Sequence, residues 1–214
     1  MRVLIIFAHP CRESYGAALL ATARESLLRA GHKVEVIDLY AENFDPVLST
    51  EDWADYVPNT DRLIAKVAPH VAALRRAEGL VFVYPTWMYG PPAILKGWME
   101  RVWLPGVAFE VASATKMRAT GRLQNIRHFA VITTSGSPWW WLRLIRDPGR
   151  SMLARGYRVL FHPRCRVTWL QLHDMNHRKP RDLKAFLAKV GTRMSRFGEP
   201  ATQGKSDERR TSEA

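Results

Sequence analysis

The sequence predicts an α/β fold in which helices cover a parallel sheet, and three observations lead to this prediction. Short apolar runs rich in β-branched residues recur along the chain, as in parallel strands buried on both faces. Stretches with helical periodicity separate these runs, which implies one sheet with right-handed crossovers. A length of 214 residues with 47% hydrophobic residues allows one sizeable core and leaves no room for two ordinary domains.

The first strand–loop–helix unit begins with the apolar run 3–8, which is predicted to be a buried strand. Ser14 can cap the helix that follows, and Gly31 is expected to end it. Residues 33–40 alternate between polar and apolar, which predicts a second strand nearer the sheet edge. Residues 41–60 are expected to be irregular.

The unit then repeats along the chain. A weak helical pattern over 61–77, interrupted by Pro69, precedes a third buried strand at 79–84. A helix is predicted at 93–103, with Trp98 on its apolar face. The remaining predicted elements are strands at 128–134 and 166–172 and helices at 147–155 and 181–197.

Five such strands suit the flavodoxin-like order 2-1-3-4-5 in a helix-covered three-layer sandwich. This domain is expected to span residues 1–197. Residues 198–214 are almost without apolar side chains and are expected to form a disordered tail.

Two groups of tryptophans receive different interpretations. Trp98 and Trp103 lie on an apolar helical pattern and are expected in the core. Three consecutive tryptophans at 139–141 are unlikely to be buried together, so some of them should line a pocket or a subunit interface.

Charge is distributed unevenly. Residues 1–100 carry 10 Lys and Arg against 12 Asp and Glu, whereas residues 101–214 carry 22 against 8. An acidic partner is one interpretation of the basic half, and an ordinary solvated surface is the more common one. A nucleic-acid binder would rest on the isoelectric point alone, since no DNA-binding motif is present, and nucleic acid is therefore not expected as a partner.

Other classes of protein are disfavoured by simple features. No apolar run approaches the roughly 18 residues of a membrane span, and the first ten residues do not resemble a secretory signal, so a soluble cytoplasmic protein is expected. Cys11 and Cys165 offer neither a disulfide framework nor metal-ligand spacing, so no metal site is expected.

In an open parallel sheet a ligand binds beyond the carboxyl ends of the strands, which draws attention to three loops. The loop at 8–16 precedes a helix start where amides and the hydroxyl of Ser14 can face a phosphate. The loops at 84–92 and 133–141 combine glycines and hydroxyls with flat aromatic side chains, which suits a planar heteroaromatic ring. Taken alone, Ser14 is more often a simple helix cap, and His9 can merely close a turn.

Three segments carry a family resemblance. AHPCRESYGAAL, YPTWMYGPPAILKGWMERVWLPGVAFE and ITTSG resemble the NAD(P)H:quinone reductases of the DT-diaphorase type and their bacterial relatives. The resemblance spans about residues 1–136, and PPAILKGWMERV with PGVAF is its most specific part. It implies a flavodoxin-like homodimer that holds FAD, or FMN in some relatives, with the active site at the subunit interface.

The resemblance also implies which residues of this chain bind the flavin. The phosphate and ribityl part would contact His9, Ser14, Tyr15 and Gly16. The isoalloxazine would lie along Pro85, Thr86, Trp87, Met88 and Tyr89, and its pocket would be completed by Thr133, Thr134, Ser135 and Gly136.

One departure leaves the catalytic residues unassigned. The family's best-known enzymes have a Tyr and a His soon after a Thr-Thr-Gly-Gly turn, whereas this chain has Thr-Thr-Ser-Gly followed by SPWWWLRLIRD. Trp141 stands near the Tyr position. An indole donates one hydrogen bond but is no acid near neutral pH, so a proton-donating role for Trp141 is in doubt.

The resulting hypothesis is a hydride transfer from NADPH or NADH by way of the bound flavin to a quinone or similar acceptor, with ping-pong kinetics. Arg143, Arg146 and Arg150 are weak candidates for binding the extra phosphate of NADPH. The alternative is a flavin-containing regulatory or electron-carrier subunit of a partner protein such as a potassium-efflux system.

Overall fold

A computed structural model describes residues 1–111 and 120–199. The strands, in chain order, are β1 (Arg2–Phe7), β2 (Lys33–Asp38), β3 (Gly79–Pro85), β4 (Phe109–Glu110), β5 (Thr120–Gly121), β6 (His128–Thr134) and β7 (Arg166–Leu172). The helices are α1 (Tyr15–Arg29), α2 (Thr50–Asp55), α3 (Thr60–Lys66), α4 (Ala68–Arg76), α5 (Ala93–Val102), α6 (Trp139–Leu144), α7 (Pro148–Ser151) and α8 (Pro180–Ser195).

Five strands form one parallel sheet in the order β2-β1-β3-β6-β7. This confirms the predicted five-stranded order, since β6 and β7 are the fourth and fifth strands of that sheet. The winding reverses between β1 and β3, where Phe7 is paired with Val83. Strands β4 and β5 form a separate antiparallel pair that the sequence did not predict.

Two apolar layers sandwich the sheet. On one face α1 and α8 bury Leu19, Leu27 and Val190 against the strands. On the other face α4 and α5 bury Leu74 and Trp98. Strands β1 and β3 are almost wholly buried because both of their faces are covered, which is why they appear as continuous apolar runs.

Trp98 and Trp103 occupy the core as predicted, with 0% and 5% of their surfaces exposed. Both rings pack on Phe82 of β3, Trp98 edge-on and Trp103 stacked. Aromatic contacts of this kind favour a single packing arrangement. These two tryptophans therefore have a structural role in the core.

A close backbone approach explains Gly97, in the middle of α5. A Cβ at this position would lie 2.2 Å from the carbonyl oxygen of Pro46, so no side chain fits there. Arg101, one turn later, bonds both the carbonyl and the carboxylate of Asp45 and reaches the buried carboxylate of Asp52. The segment before α2 is thereby fixed against α5.

The expectation that residues 41–60 are irregular was wrong in part. Ser49 caps α2 by accepting a hydrogen bond from the amide of Asp52, 3.1 Å away. The carboxylate of Asp52 is buried because it pairs with Lys66 and Arg101, which lie far away in sequence. A short helix thus forms where composition alone suggested a loop.

The segment after β6 also differs from expectation. Helix α6 was not predicted, and the helix expected at 147–155 is the short α7, continued by a π-helical turn (Met152–Gly156) and a 3-10 turn (Tyr157–Leu160). Another 3-10 turn (Met175–His177) precedes α8. Of the predicted tail, residues 200–214 lie outside the described residues, and Phe197 is buried against Gly79.

Residues 1–111 and 120–199 contain neither a membrane-spanning helix nor a metal-binding cluster of side chains. No helix there combines the length and the apolar character that crossing a bilayer demands. Nor does any cluster of three or more His, Cys, Asp or Glu side chains have the arrangement of a metal site.

Candidate functional site

The three predicted loops lie at one edge of the sheet, beyond the carboxyl ends of β1, β3 and β6. The amide of Ala8 bonds the carbonyl of Val83 at 3.0 Å, and the amide of Thr86 bonds the carbonyl of Thr134 at 2.7 Å. The loops after β1 and β3 flank the point where the winding reverses. In a doubly wound sheet this is the place where a ligand crevice forms.

The loop after β1 is held by its own side chains. His9 Nδ1 accepts from the amide of Cys11 at 3.0 Å, and Ser14 Oγ accepts from the amide of Ala17 at 3.1 Å. Gly16 sits beneath the imidazole of His9, since a Cβ there would be 3.2 Å from His9 Cδ2. Ser14 is a helix cap in this structure, as the simpler interpretation proposed.

The first turn of α1 presents free donors. Within residues 1–111 and 120–199, the amides of Tyr15 and Gly16 have no acceptor, and this first turn contains no acidic residue. The positive end of a 15-residue helix therefore lies at this edge of the sheet with its N–H groups available. Such an arrangement accommodates a phosphate.

The side chain of Tyr15 points toward α8. Its hydroxyl donates to the carbonyl of Leu183 in α8 at 2.8 Å, and burial raises the pKa of the phenol to about 12. The side chain of Tyr15 thus joins α1 to α8, and only its backbone amide is available as a donor.

The loop after β3 is a tight hairpin from Trp87 to Gly90. The amide of each of these two residues bonds the carbonyl of the other, at 3.0 and 2.9 Å. Met88 and Tyr89 between them have φ of 46° and 62°, the pattern of a type I′ turn. This conformation is costly for side chains other than Gly or Asn, and it holds Trp87, Met88 and Tyr89 at the surface.

The loop after β6 has an inner and an outer set of residues. Thr133 and Ser135 are buried, with Thr133 Oγ1 bonded to Thr86 Oγ1 at 2.9 Å and Ser135 Oγ accepting from the amide of Ser137. Thr134 is half-buried and Gly136 is exposed. The inner pair stabilises the turn, while the outer pair is accessible at this edge of the sheet.

Side-chain contacts join the loops to one another. The rings of His9 and Trp87 lie 6.4 Å apart, which connects the first loop to the second. The indole Nε1 of Trp141 donates to the hydroxyl of Tyr89 at 3.1 Å, which connects the second to α6. Pro85 pairs with Thr134 in the sheet. All thirteen predicted flavin contacts therefore lie along one edge, although the hydroxyls of Tyr15, Thr133 and Ser135 are engaged within the protein.

Sequence reasoning missed a second group at this edge, made of Tyr84, Asp147 and His173. Asp147 acts electrostatically on both other groups, and burial is the main cause of a raised pKa at Tyr84 and a lowered pKa at His173. The Nδ1 atom of His173 is buried and has no hydrogen-bond partner among the described residues. Asp147 caps α7, and the Asp-Pro pair there was a usable signal.

The donor set at this edge fits a flavin. Besides Tyr15 and Gly16, the amides of Met88, Tyr89 and Gly136 have no acceptor within the part of the chain that the structure describes. A flavin carries phosphate oxygens at one end and carbonyl and ring-nitrogen acceptors at the other. Available backbone N–H groups next to exposed aromatic faces match both ends.

Known proteins resemble this chain in sequence and in fold. A family model described as a flavodoxin-like fold matches residues 1–191. NAD(P)H dehydrogenase [quinone] 1 of Cavia porcellus is 35% identical over 151 residues, a match that covers 64% of this chain and 54% of that protein. The chain thus spans about half the length of this relative.

Two further similarities extend over more of the relative. A ribosyldihydronicotinamide dehydrogenase-like protein of Penicillium crustosum is 33% identical over 185 residues, covering 76% of this chain and 69% of that protein. The solved structure of an NAD(P)H:quinone oxidoreductase from Methanothermobacter marburgensis superposes with a TM-score of 0.78 at 30% identity, covering 91% of this chain and 98% of that one.

Proposed function

Because the chain belongs to the flavodoxin-like family whose model matches residues 1–191, we propose that it is a cytoplasmic flavin-dependent NAD(P)H oxidoreductase. It transfers hydride from NADH or NADPH by way of the flavin to a quinone or a similar acceptor, in a ping-pong sequence. The names of the relatives, which include a quinone dehydrogenase and a quinone oxidoreductase, support this choice of reaction.

One observation carries the proposal, namely the convergence of three strand-end loops at the reversal of the sheet. Hydrogen bonds at 2.7 and 2.9 Å between Thr86 and the β6 turn fix two loops, and the contact of His9 with Trp87 brings in the third. Preorganised donors of this kind favour negative charge without rearrangement.

The first loop holds the flavin phosphate in this proposal. The amides of Tyr15 and Gly16 donate to it, His9 and Ser14 shape the turn, and the dipole of α1 adds a favourable field. FAD is the proposed cofactor and FMN is the alternative, since no local motif of this chain marks a site for the adenine half.

The second and third loops hold the ring. The faces of Trp87 and Tyr89 lie beside it, the amides of Met88, Tyr89 and Gly136 supply donors, and Pro85, Thr86, Thr133, Thr134 and Ser135 form the supporting turns. A bound flavin supplies the two-electron chemistry of the reaction. The protein supplies orientation and a site with restricted access to water.

Proton handling in this chain differs from that of a phenol-based site. Trp141 positions Tyr89 through its N–H group and has no proton to exchange near neutral pH. Burial is the main cause of the lowered pKa of His173 at the carboxyl end of β7, which favours its neutral imidazole. Arg143, Arg146 and Arg150, which are exposed, are the proposed contacts for the extra phosphate of NADPH.

A homodimer is part of the proposal. An apolar groove of about 320 Å³ is lined by Met99, Trp103, Phe109, Tyr157 and Leu160, beside the exposed Val159. Trp103 borders this groove, and its indole Nε1 is buried without a hydrogen-bond partner among the described residues. Sedimentation equilibrium of the wild type and of Val159→Asp tests this assignment, with a shift to monomer expected for the variant.

Purification and spectroscopy test the function. The expected results are a yellow protein, one released flavin per chain by mass, and quinone-dependent NAD(P)H oxidation with parallel double-reciprocal lines. A colourless protein that refuses added FAD and FMN would remove the proposal. A flavin-loaded protein without turnover would instead favour the electron-carrier alternative.

A further inference from the structure

Helix α6 exposes its apolar side to solvent, which is the reverse of an ordinary surface helix. Trp139, Trp140 and Leu144 are 62%, 56% and 69% exposed, while Leu142 is buried. Residues four apart on a helix are neighbours, so Trp139 adjoins Arg143 and Trp140 adjoins Leu144 on one face. We call the face formed by Trp139, Trp140, Arg143 and Leu144 the tryptophan face.

The charges around this face are positive. Arg143, Arg146 and Arg150 are exposed, and within residues 1–111 and 120–199 none of them forms a salt bridge. Arg150 lies over the ring of Trp169 at 5.8 Å. The nearby carboxylate of Asp147 is engaged as the cap of α7 and accepts from the amide of Arg150.

The tryptophan face is held rigidly. Trp140 packs edge-on against Trp141, whose N–H group bonds Tyr89 in the hairpin after β3. The hairpin is joined in turn to the start of α7 through the amide of Gly149 and the carbonyl of Tyr89, 2.9 Å apart. The indoles are therefore presented on a supported helix, beside the loops of the candidate site.

We propose that the tryptophan face docks on the surface of an anionic lipid bilayer. Indole rings favour the headgroup region of a membrane, leucine enters the acyl boundary, and arginines next to them attract anionic lipids. A second copy of this chain fits less well, because a two-fold contact would bring the unpaired arginines of both copies together.

Docking at this face would place the candidate site next to the bilayer, where quinones with long apolar tails dissolve. This choice of acceptor rests on the proposed function. Lipid binding itself does not, so the two can fail separately.

The test uses the purified full-length protein with its flavin and vesicles of phosphatidylglycerol and phosphatidylcholine in equal parts. We expect the wild type to sediment with these vesicles, to shift its tryptophan emission to the blue, and to dissociate as salt is raised. The double variant Trp139→Ala/Trp140→Ala should bind at least about tenfold more weakly, because it loses most of the apolar area available for insertion.

Trp53→Ala is the matched control, since Trp53 is 67% exposed on α2 and should leave vesicle binding unchanged. Arg143→Glu/Arg146→Glu should weaken binding to anionic vesicles while leaving the weak binding to pure phosphatidylcholine vesicles unaltered. Lack of binding by the wild type would overturn the proposal, as would an equal loss in Trp53→Ala. Conversion of a dimer to a monomer by the double tryptophan variant would also overturn it, because the face would then be a subunit interface.

Discussion

The indole Nε1 of Trp141 lies 3.1 Å from the hydroxyl of Tyr89 and donates a hydrogen bond to it. This bond links α6 to a hairpin that is 52 residues earlier in the chain. Tyr89 belongs to a loop proposed to hold the flavin ring, so the bond couples the position of this loop to that of α6.

Trp141→Phe should weaken flavin binding by about fivefold. The substitution keeps an aromatic ring and removes the donor, and a hydrogen bond of this kind contributes about 1 kcal/mol. Fluorescence titration of the apoprotein with FAD and FMN gives the dissociation constants. Trp140→Phe is the control, and equal affinities for both variants and the wild type would contradict the role assigned to Trp141.

Ser14→Ala should destabilise the protein by about 1 kcal/mol through the lost helix cap. It should also weaken flavin binding, because the capped turn orients the amides proposed to hold the phosphate. Ser49→Ala removes a matching cap from α2 at the same 3.1 Å distance, and should lower stability without changing flavin affinity. Urea unfolding and flavin titration of both variants separate the two effects, and weaker flavin binding by both would argue against the first loop.

Gly97→Ala should lower the free energy of unfolding by more than about 2 kcal/mol, since the new Cβ would collide with the backbone of Pro46. Gly191→Ala makes a matched comparison in the middle of α8, where the nearest atom is Ser26 Oγ at 3.4 Å. That variant should be neutral or slightly stabilised, because alanine favours a helix by about 1 kcal/mol over glycine. Similar midpoints for the two variants in urea would contradict the close approach.

Stability should fall as pH is lowered below about 6.5. Burial lowers the pKa of His70, with Glu42 acting in the opposite direction, and His70 Nδ1 must stay unprotonated to accept from Trp98 Nε1 at 3.2 Å. The pKa values of His128 and His173 are lowered as well, chiefly by burial. The unfolded chain therefore binds these protons first, so stability is present above the ordinary histidine value and is lost on acidification.

Urea unfolding at a series of pH values measures how the free energy of unfolding changes with pH. His70→Gln should reduce the dependence of stability on pH, since one of the three histidines whose pKa is lowered no longer titrates. Stability that rises toward acid pH would contradict the prediction.

Strands β1, β3 and β6 were predictable because each is buried on both faces, which leaves a continuous apolar run in the sequence. Helix α2 was not predictable from the sequence. The charge of its buried Asp52 is compensated by Lys66 and Arg101, through contacts that no local pattern reveals. The loop positions of the candidate site followed from the strand ends. The orientation of the side chains in that site could not be predicted, because Thr133 is held inward by Thr86, a partner that is 47 residues away.

Helix α6 illustrates a different limit. Sequence patterns assign the apolar side of a helix to the core, whereas α6 buries Leu142 and exposes two indoles. The prediction that the three tryptophans are not buried together is confirmed, and their place in a pocket or an interface stays a prediction.

The hairpin at Met88 and Tyr89 offers a way to separate rigidity from recognition in an engineered protein. Asn-Gly at these two positions would adopt the same left-handed backbone without strain, and would delete both side chains at once. A variant of that kind should melt at a higher temperature while discriminating less between acceptors. In the wild type, Met88 and Tyr89 therefore lower the thermal stability of the hairpin while giving it a defined surface.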